Sequence, residues 1–402
     1  MNLQFKMNSM ATRYAVVALY VLASLLPGIA HASWADIENE ARGQTVYFNA
    51  WGGDESTNNY IAWAGKEIKR LADVQLIHVK VADTAEVVQR IEAEKRAGRD
   101  KDGSVDLVWI NGENFKRLKS EHLLLGPWAE QLPNWQYVDT SKPVRQDFSV
   151  PTDGLEAPWG EARLTFLAYR NKVPSPPESP QDLLAFAQKH PGRVTYPKPP
   201  AFHGTTFLKQ LLLTLAPAPQ DLKQPTTPEA LARNLPALWA YLDRLHPFLW
   251  REGKAFPTSA AQMTRMLADG ELLISITFNP NEGANLVAQH RVPPGIYGFG
   301  FRSGMIGNVH FLAIPYNAKS SAAAKVVANF MLSPRAQAHK ADPTVWGDAT
   351  VLTVSALSPA QADFEKLTAG AQAGAIPTLS EPDASWTEAL ENAWLARYGS
   401  GN

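Results

Sequence analysis

Four short stretches carry side chains that could act on a small molecule, and each stands directly after a run of strand-like residues. The first is Asn49, Ala50, Trp51, Gly52, Gly53 and Asp54, and the second is Asn111, Gly112, Glu113 and Asn114. The third spans 196–206 with Tyr196, Phe202, His203, Gly204 and Thr205, and the fourth is Phe278, Asn279, Pro280 and Asn281. Flat aromatics beside amides, hydroxyls and carboxylates form the mixture that encloses a small polar organic molecule between two walls. Trp51, Trp159, Tyr196 and Phe278 could stack on a ring or face a cation, and each cation contact is worth about 0.5 to 2 kcal/mol. Gly52 and Gly53 let a ligand approach the main chain closely. Asp54 and Glu113 could meet a positive group, whereas Glu55 suits the N-terminus of a helix. Most of the 12 Trp belong in packing, so position after a strand is what sets Trp51 and Tyr196 apart. With Asn308 beside a long apolar strand, the expected ligand-binding set is Trp51, Gly52, Gly53, Asp54, Asn111, Glu113, Trp159, Tyr196, Gly204, Thr205, Phe278, Asn279 and Asn308.

Signatures of catalysis are missing from the same sequence. Neither G-x-S-x-G nor H-E-x-x-H occurs, and Gly298, Gly300 and Gly304 do not have the spacing of a dinucleotide turn. The nine His form no close pair at metal-ligand spacing, and there is no Cys to act as nucleophile or ligand. His203 therefore reads as a hydrogen-bonding loop residue. No catalytic residue, cofactor or metal site is expected. The formal charge of −1 becomes −3 once a leader containing Lys6 and Arg13 is removed, which is no footprint for nucleic acid.

The elements that must position these loops follow an α/β pattern with a largely parallel sheet. Strands are expected at 46–48, 76–81, 107–110, 164–169, 194–196, 272–277 and 297–301, with helical spacing between most of them. The stretch 304–337 reads as a buried strand that ends at Pro315, followed by a helix whose Ala323, Val326, Val327 and Phe330 share one face. In open parallel sheets ligands bind outside the carboxyl ends of strands, where all four loops lie. At 402 residues, 45% hydrophobic and 19% charged, the chain is long enough for two cores. Residues 1–32 read as a signal peptide: Lys6 and Arg13, an apolar run at 14–26, and Ala30-His31-Ala32 before Ser33. The apolar run is short of the roughly 20 residues a spanning helix needs.

The chain resembles the YnjB-type family of periplasmic solute-binding proteins, grouped with the thiamine, polyamine and ferric-ion binders of ABC importers. The resemblance covers Ser33 to the carboxyl end. It rests on FNAWGG at 48–53, WINGENF at 109–115, APWG at 157–160, TYPKPPAFHGTTF at 195–207, TFNPNEG at 277–283, and the helix ending Ser333, Pro334, Arg335, Ala336 and Gln337. It implies a type II-like, two-lobed α/β fold in which each lobe is a mostly parallel sheet. Lobe 1 would comprise 33–165 and 306–402, lobe 2 would comprise 166–305, and two hinge crossings would join them. It implies a monomer in the periplasm, with an ABC permease and its ATPase complex in the inner membrane as partners. Thiamine or a polyamine is the expected class of ligand, and a neutral sugar or metal ion is the alternative. The adjacent tyrosines that ferric-binding relatives use are absent. The reading from another class is an exported hydrolase or lyase using Asp54, Glu113 or Glu161, and a sensor subunit would use the same lobes with a different partner.

Overall fold

The computed structural model describes residues 33–357 and 376–399. The expected leader at 1–32 lies outside the described residues. Strands β1 (Thr45–Trp51), β2 (Gln75–Val81) and β3 (Leu107–Ile110) run parallel with β1 in the middle. Parallel neighbours require crossovers, which the helices Glu55–Ala72 and Thr84–Arg96 supply. Each helix starts on an aspartate cap. Asp54 accepts from the Thr57 amide at 2.9 Å and Asp83 from the Ala85 amide at 2.8 Å.

After a small hairpin of β4 (Gln146–Asp147) and β5 (Val150–Pro151), β6 (Glu156–Arg163) enters the first sheet. Its partner is β10 (Met305–Ala313), which runs antiparallel to both β6 and β3 and pairs at its start with β11 (Thr378–Leu379). All nine residues of β10 are buried, including the polar Asn308 and His310. The Ser321–Met331 helix packs the alanines and valines of the expected face into the same core.

A second sheet begins one residue after β6. There β7 (Thr165–Tyr169) lies between β8 (Ser275–Thr277) and β9 (Ile296–Phe299), antiparallel to both. The mostly parallel arrangement expected for both lobes thus describes the first sheet, while the ladders of the second are antiparallel. Both β8 and β9 run against β7, so this sheet contains no parallel crossover pair. Residues 194–196, expected as a strand, are extended chain outside any ladder.

Two hydrophobic cores result. Phe48, Ile61, Leu107, Trp159 and Phe311 belong to the first, and Phe166, Leu208, Leu242, Ile276 and Ile306 belong to the second. The chain passes from the first core to the second between Trp159 and Leu164, and returns between Ile306 and Val309. The helix Ser385–Tyr398 buries Trp386, Leu390 and Trp394 in the second core. This corrects the expectation that all of 306–402 joins the first lobe. A spacing of four residues announces a buried face, but it does not say which core receives it.

Candidate ligand site between the two cores

The parallel strands β1, β2 and β3 end at one edge of the first sheet, and the loops that follow them form one wall. Trp51 is 39% exposed. Its ring lies so close over Gly53 that a side-chain carbon there would stand 2.4 Å from it. Gly112 holds φ 62° and ψ −129°, a conformation open to glycine, and its amide donates to Asp147 Oδ2 at 2.7 Å. That turn sets Glu113 at the first position of the helix Glu113–Ser120.

The opposite wall begins with the helix Phe202–Leu215. Phe202 is 40% exposed and meets the Phe278 ring edge-on at 5.0 Å. Gly204 is fixed by packing, since a side-chain carbon there would lie 2.1 Å from the Pro197 carbonyl oxygen. Thr205 donates through its hydroxyl to Glu391 Oε1 at 2.7 Å. Lys209 is buried. Its Nζ lies 2.7 Å from Glu381 Oε2 and 4.7 Å above the ring of Phe148, a residue of the β4–β5 hairpin. Asn308 Nδ2 donates to Glu381 Oε1 at 3.3 Å.

Several carboxyls on these two walls are perturbed by their surroundings. Glu113 keeps an exposed surface, yet desolvation pushes its pKa up, opposed by Lys209 and reinforced by Glu381 and Asp83. Glu391 is likewise raised, first by desolvation, with Thr205 lowering it and Glu113 and Asp83 raising it. Glu282 is pushed up to about 7 by desolvation and by the Asp54 carboxylate across the gap. Burial lowers His203 to about 4 and keeps it neutral. Beneath Gly112, Asp147 and Glu156 are fully enclosed, and burial raises both well above the usual carboxyl range.

Residues 63–369 match the family of bacterial extracellular solute-binding proteins. Protein YnjB of Escherichia coli (strain K12) is 54% identical over 380 residues, which is 94% of this chain and 97% of that protein. The chain belongs to this solute-binding family. Among solved structures, the spermidine/putrescine ABC transporter substrate-binding protein PotD from Streptococcus pneumoniae has a TM-score of 0.61 at 14% identity, covering 89% of this chain and 99% of that one. The periplasmic binding protein AfuA from Actinobacillus pleuropneumoniae, with fructose-6-phosphate bound, has a TM-score of 0.61 at 15% identity over the same shares. The fold is thus the two-lobed α/β fold of periplasmic binding proteins, and the protein is a bacterial extracellular solute-binding protein. Among the described residues, no helix is long and apolar enough to cross a membrane.

Within this binding-protein frame the expected residues divide. Trp51, Gly52, Gly53, Asp54, Asn111 and Glu113 stand together along the strand ends of the first wall, and Thr205, Phe278 and Asn308 stand on or behind the second. Asp54 spends its carboxylate on the Thr57 amide and hydroxyl. Tyr196 is corrected from wall to core. It is fully buried, its oxygen is 2.7 Å from His246 Nε2, it accepts from Trp394 Nε1 at 2.9 Å, and its ring stacks on Phe207. Trp159 is also core, enclosed by Phe48, Trp109, His310 and Trp346. Asn279 uses its amide internally, donating to the Trp346 carbonyl and accepting from the Asn281 amide.

Asp83, Lys209, Glu282, Glu381 and Glu391 went unnoticed in the sequence. Asp83 follows β2 as the other loops follow β1 and β3, and it caps the helix Thr84–Arg96. Lys209 interrupts the apolar run Phe207, Leu208, Leu211 and Leu212, and a charge at such a position was a legible signal.

Proposed function

We propose that this solute-binding protein captures an organic cation in the crevice between its two lobes and presents the closed form to an ABC importer. Glu113 on one wall and Glu391 on the other carry the reading. Both retain water contact, each is raised by desolvation, and Glu113 repels Glu391 across the gap. A positive ligand centre placed between them would relieve both penalties, whereas a neutral sugar would leave two like charges facing each other. Trp51 and Phe202 offer exposed faces to the flat or apolar part of such a ligand. Thiamine and the polyamines combine these features. The solved relatives bind ligands as different as a polyamine and a sugar phosphate, so the charge of the crevice is the guide to the ligand.

No turnover belongs to this reading. Glu161 is paired with Lys142 at 2.5 Å and Asp54 caps a helix, which leaves neither as a free acid or base. Export with cleavage before Ser33 fits the cap that Ser33 forms with Asp36 at the start of the helix Trp34–Ala41. A thermal-shift screen of the chain from Ser33 against vitamins, amines, sugars and metal salts tests the proposal. Stabilisation of about 2.7 kcal/mol is expected at one hundred times the dissociation constant of a cationic compound. Stabilisation by neutral sugars alone would refute it.

A further inference from the structure

We propose that Lys209 determines specificity by occupying a buried carboxylate and a buried aromatic face behind the crevice wall, so that the site accepts a ligand with a single cationic centre. The inference rests on the cation reading above. Lys209 is held rigidly. The next residue, Gln210, donates to the Gly304 carbonyl at 3.2 Å and accepts from the Ile306 amide at 2.7 Å, which ties the helix to the strand crossing between the lobes. The Lys209 ammonium sits 2.7 Å from Glu381 Oε2 and 4.7 Å above the Phe148 ring. A carboxylate and an aromatic face around an ammonium form the environment a ligand cation would seek, and here the protein's own side chain fills it.

The remaining charges define what is left for a ligand. Glu391 accepts one hydrogen bond, from Thr205, and the Asp83 carboxylate caps a helix. Among the described residues neither Glu113 nor Glu391 forms a direct ion pair, although the Lys209 ammonium is near enough to favour both carboxylates, and one positive centre between them serves both. A second ammonium on the same ligand, one short chain away, would meet the Lys209 ammonium rather than a carboxylate. Like charges at that range oppose each other even in a partly hydrated crevice. Neutral or hydrogen-bond-accepting groups at that end of the ligand fit the lysine instead.

Two variants and two probes with the same four-carbon chain test the inference by calorimetric titration: n-butylammonium with one charge and putrescine with two. Lys209→Gln removes the charge but keeps a donor for Glu381, so the fold retains a partner for that buried carboxylate. Lys209→Gln/Glu381→Gln removes both charges. The wild-type protein is expected to bind n-butylammonium at least as tightly as putrescine. In Lys209→Gln the ratio of affinities should move toward putrescine by about tenfold, the effect of one charge pair of roughly 1.4 kcal/mol. The double variant should return the ratio to near the wild-type value, an outcome that a purely structural lysine would not produce. An unchanged ratio in all three proteins overturns this inference while leaving the cation reading in place. Failure of all three proteins to bind either amine, or the cations thiamine and spermidine, overturns the cation reading and the inference with it.

Discussion

The amide of Leu164 donates to the carbonyl of Ile306 at 2.8 Å, so the strand leaving the first lobe is tied to the strand returning to it. Gln210 reinforces the junction by bonding both the Ile306 amide and the Gly304 carbonyl. Lobe movement would therefore turn about one shared point, with the backbone change confined to a few residues on either side.

Gln210→Leu is expected to destabilise the protein by roughly 2 to 5 kcal/mol, because it leaves a buried N–H and a buried C=O without partners. Urea unfolding of the variant measures the loss. A change below about 0.5 kcal/mol would show that the junction does not depend on this side chain.

Trp51 and Tyr196 should respond in opposite ways to replacement by Ala. Tyr196→Ala is expected to cost about 3 to 5 kcal/mol of stability, since it opens a cavity in the second core and unpairs His246 and Trp394. Trp51→Ala should leave stability within about 1 kcal/mol and weaken ligand binding by about 1 to 3 kcal/mol. Thermal melts and calorimetric titration of both variants separate the two roles.

This pair also shows how far the sequence could be read. Both aromatics follow an extended segment, but only the segment before Trp51 belongs to a parallel ladder whose end opens on the crevice. Residues 194–196 join no ladder, so the rule that places ligands at strand ends did not apply to Tyr196. The strands of the first sheet, the buried run of β10 and the glycine-bearing loops were legible because they depend on local pattern. Lys209, Glu381 and Glu391 were not, because they meet only through long-range packing: 172 residues of sequence separate the first two. The four-residue spacing of Trp386, Leu390 and Trp394 marks a helix face, but its choice of core depends on tertiary contacts that periodicity does not encode.

Acid should weaken the fold through His246. Burial lowers its pKa from 6.5 to about 4, so the native state holds it neutral. That stabilisation is complete above pH 6.5 and is lost as the pH falls through 4, amounting to at most about 3 kcal/mol. Glu282 has the opposite sign. Its pKa is raised from 4.5 to about 7, so its contribution is complete below pH 4.5 and is lost as the pH rises through 7. Denaturation midpoints across pH 4 to 8 should show a flatter acid limb in His246→Phe. The stability of Glu282→Gln relative to wild type should rise between pH 4.5 and 7.

The proposal that a cation lies between Glu113 and Glu391 is tested most directly by calorimetric titration of the chain from Ser33 with thiamine, spermidine and putrescine. Glu113→Gln and a neutral sugar serve as controls. Because desolvation raises the pKa of Glu113, a bound cation should lower it, so binding should release protons and strengthen with rising pH. The account predicts saturable one-to-one binding of a cationic compound that Glu113→Gln weakens at least tenfold, the equivalent of about 1.4 kcal/mol. Tight binding of the sugar, or cation binding indifferent to Glu113→Gln and to pH, would contradict it.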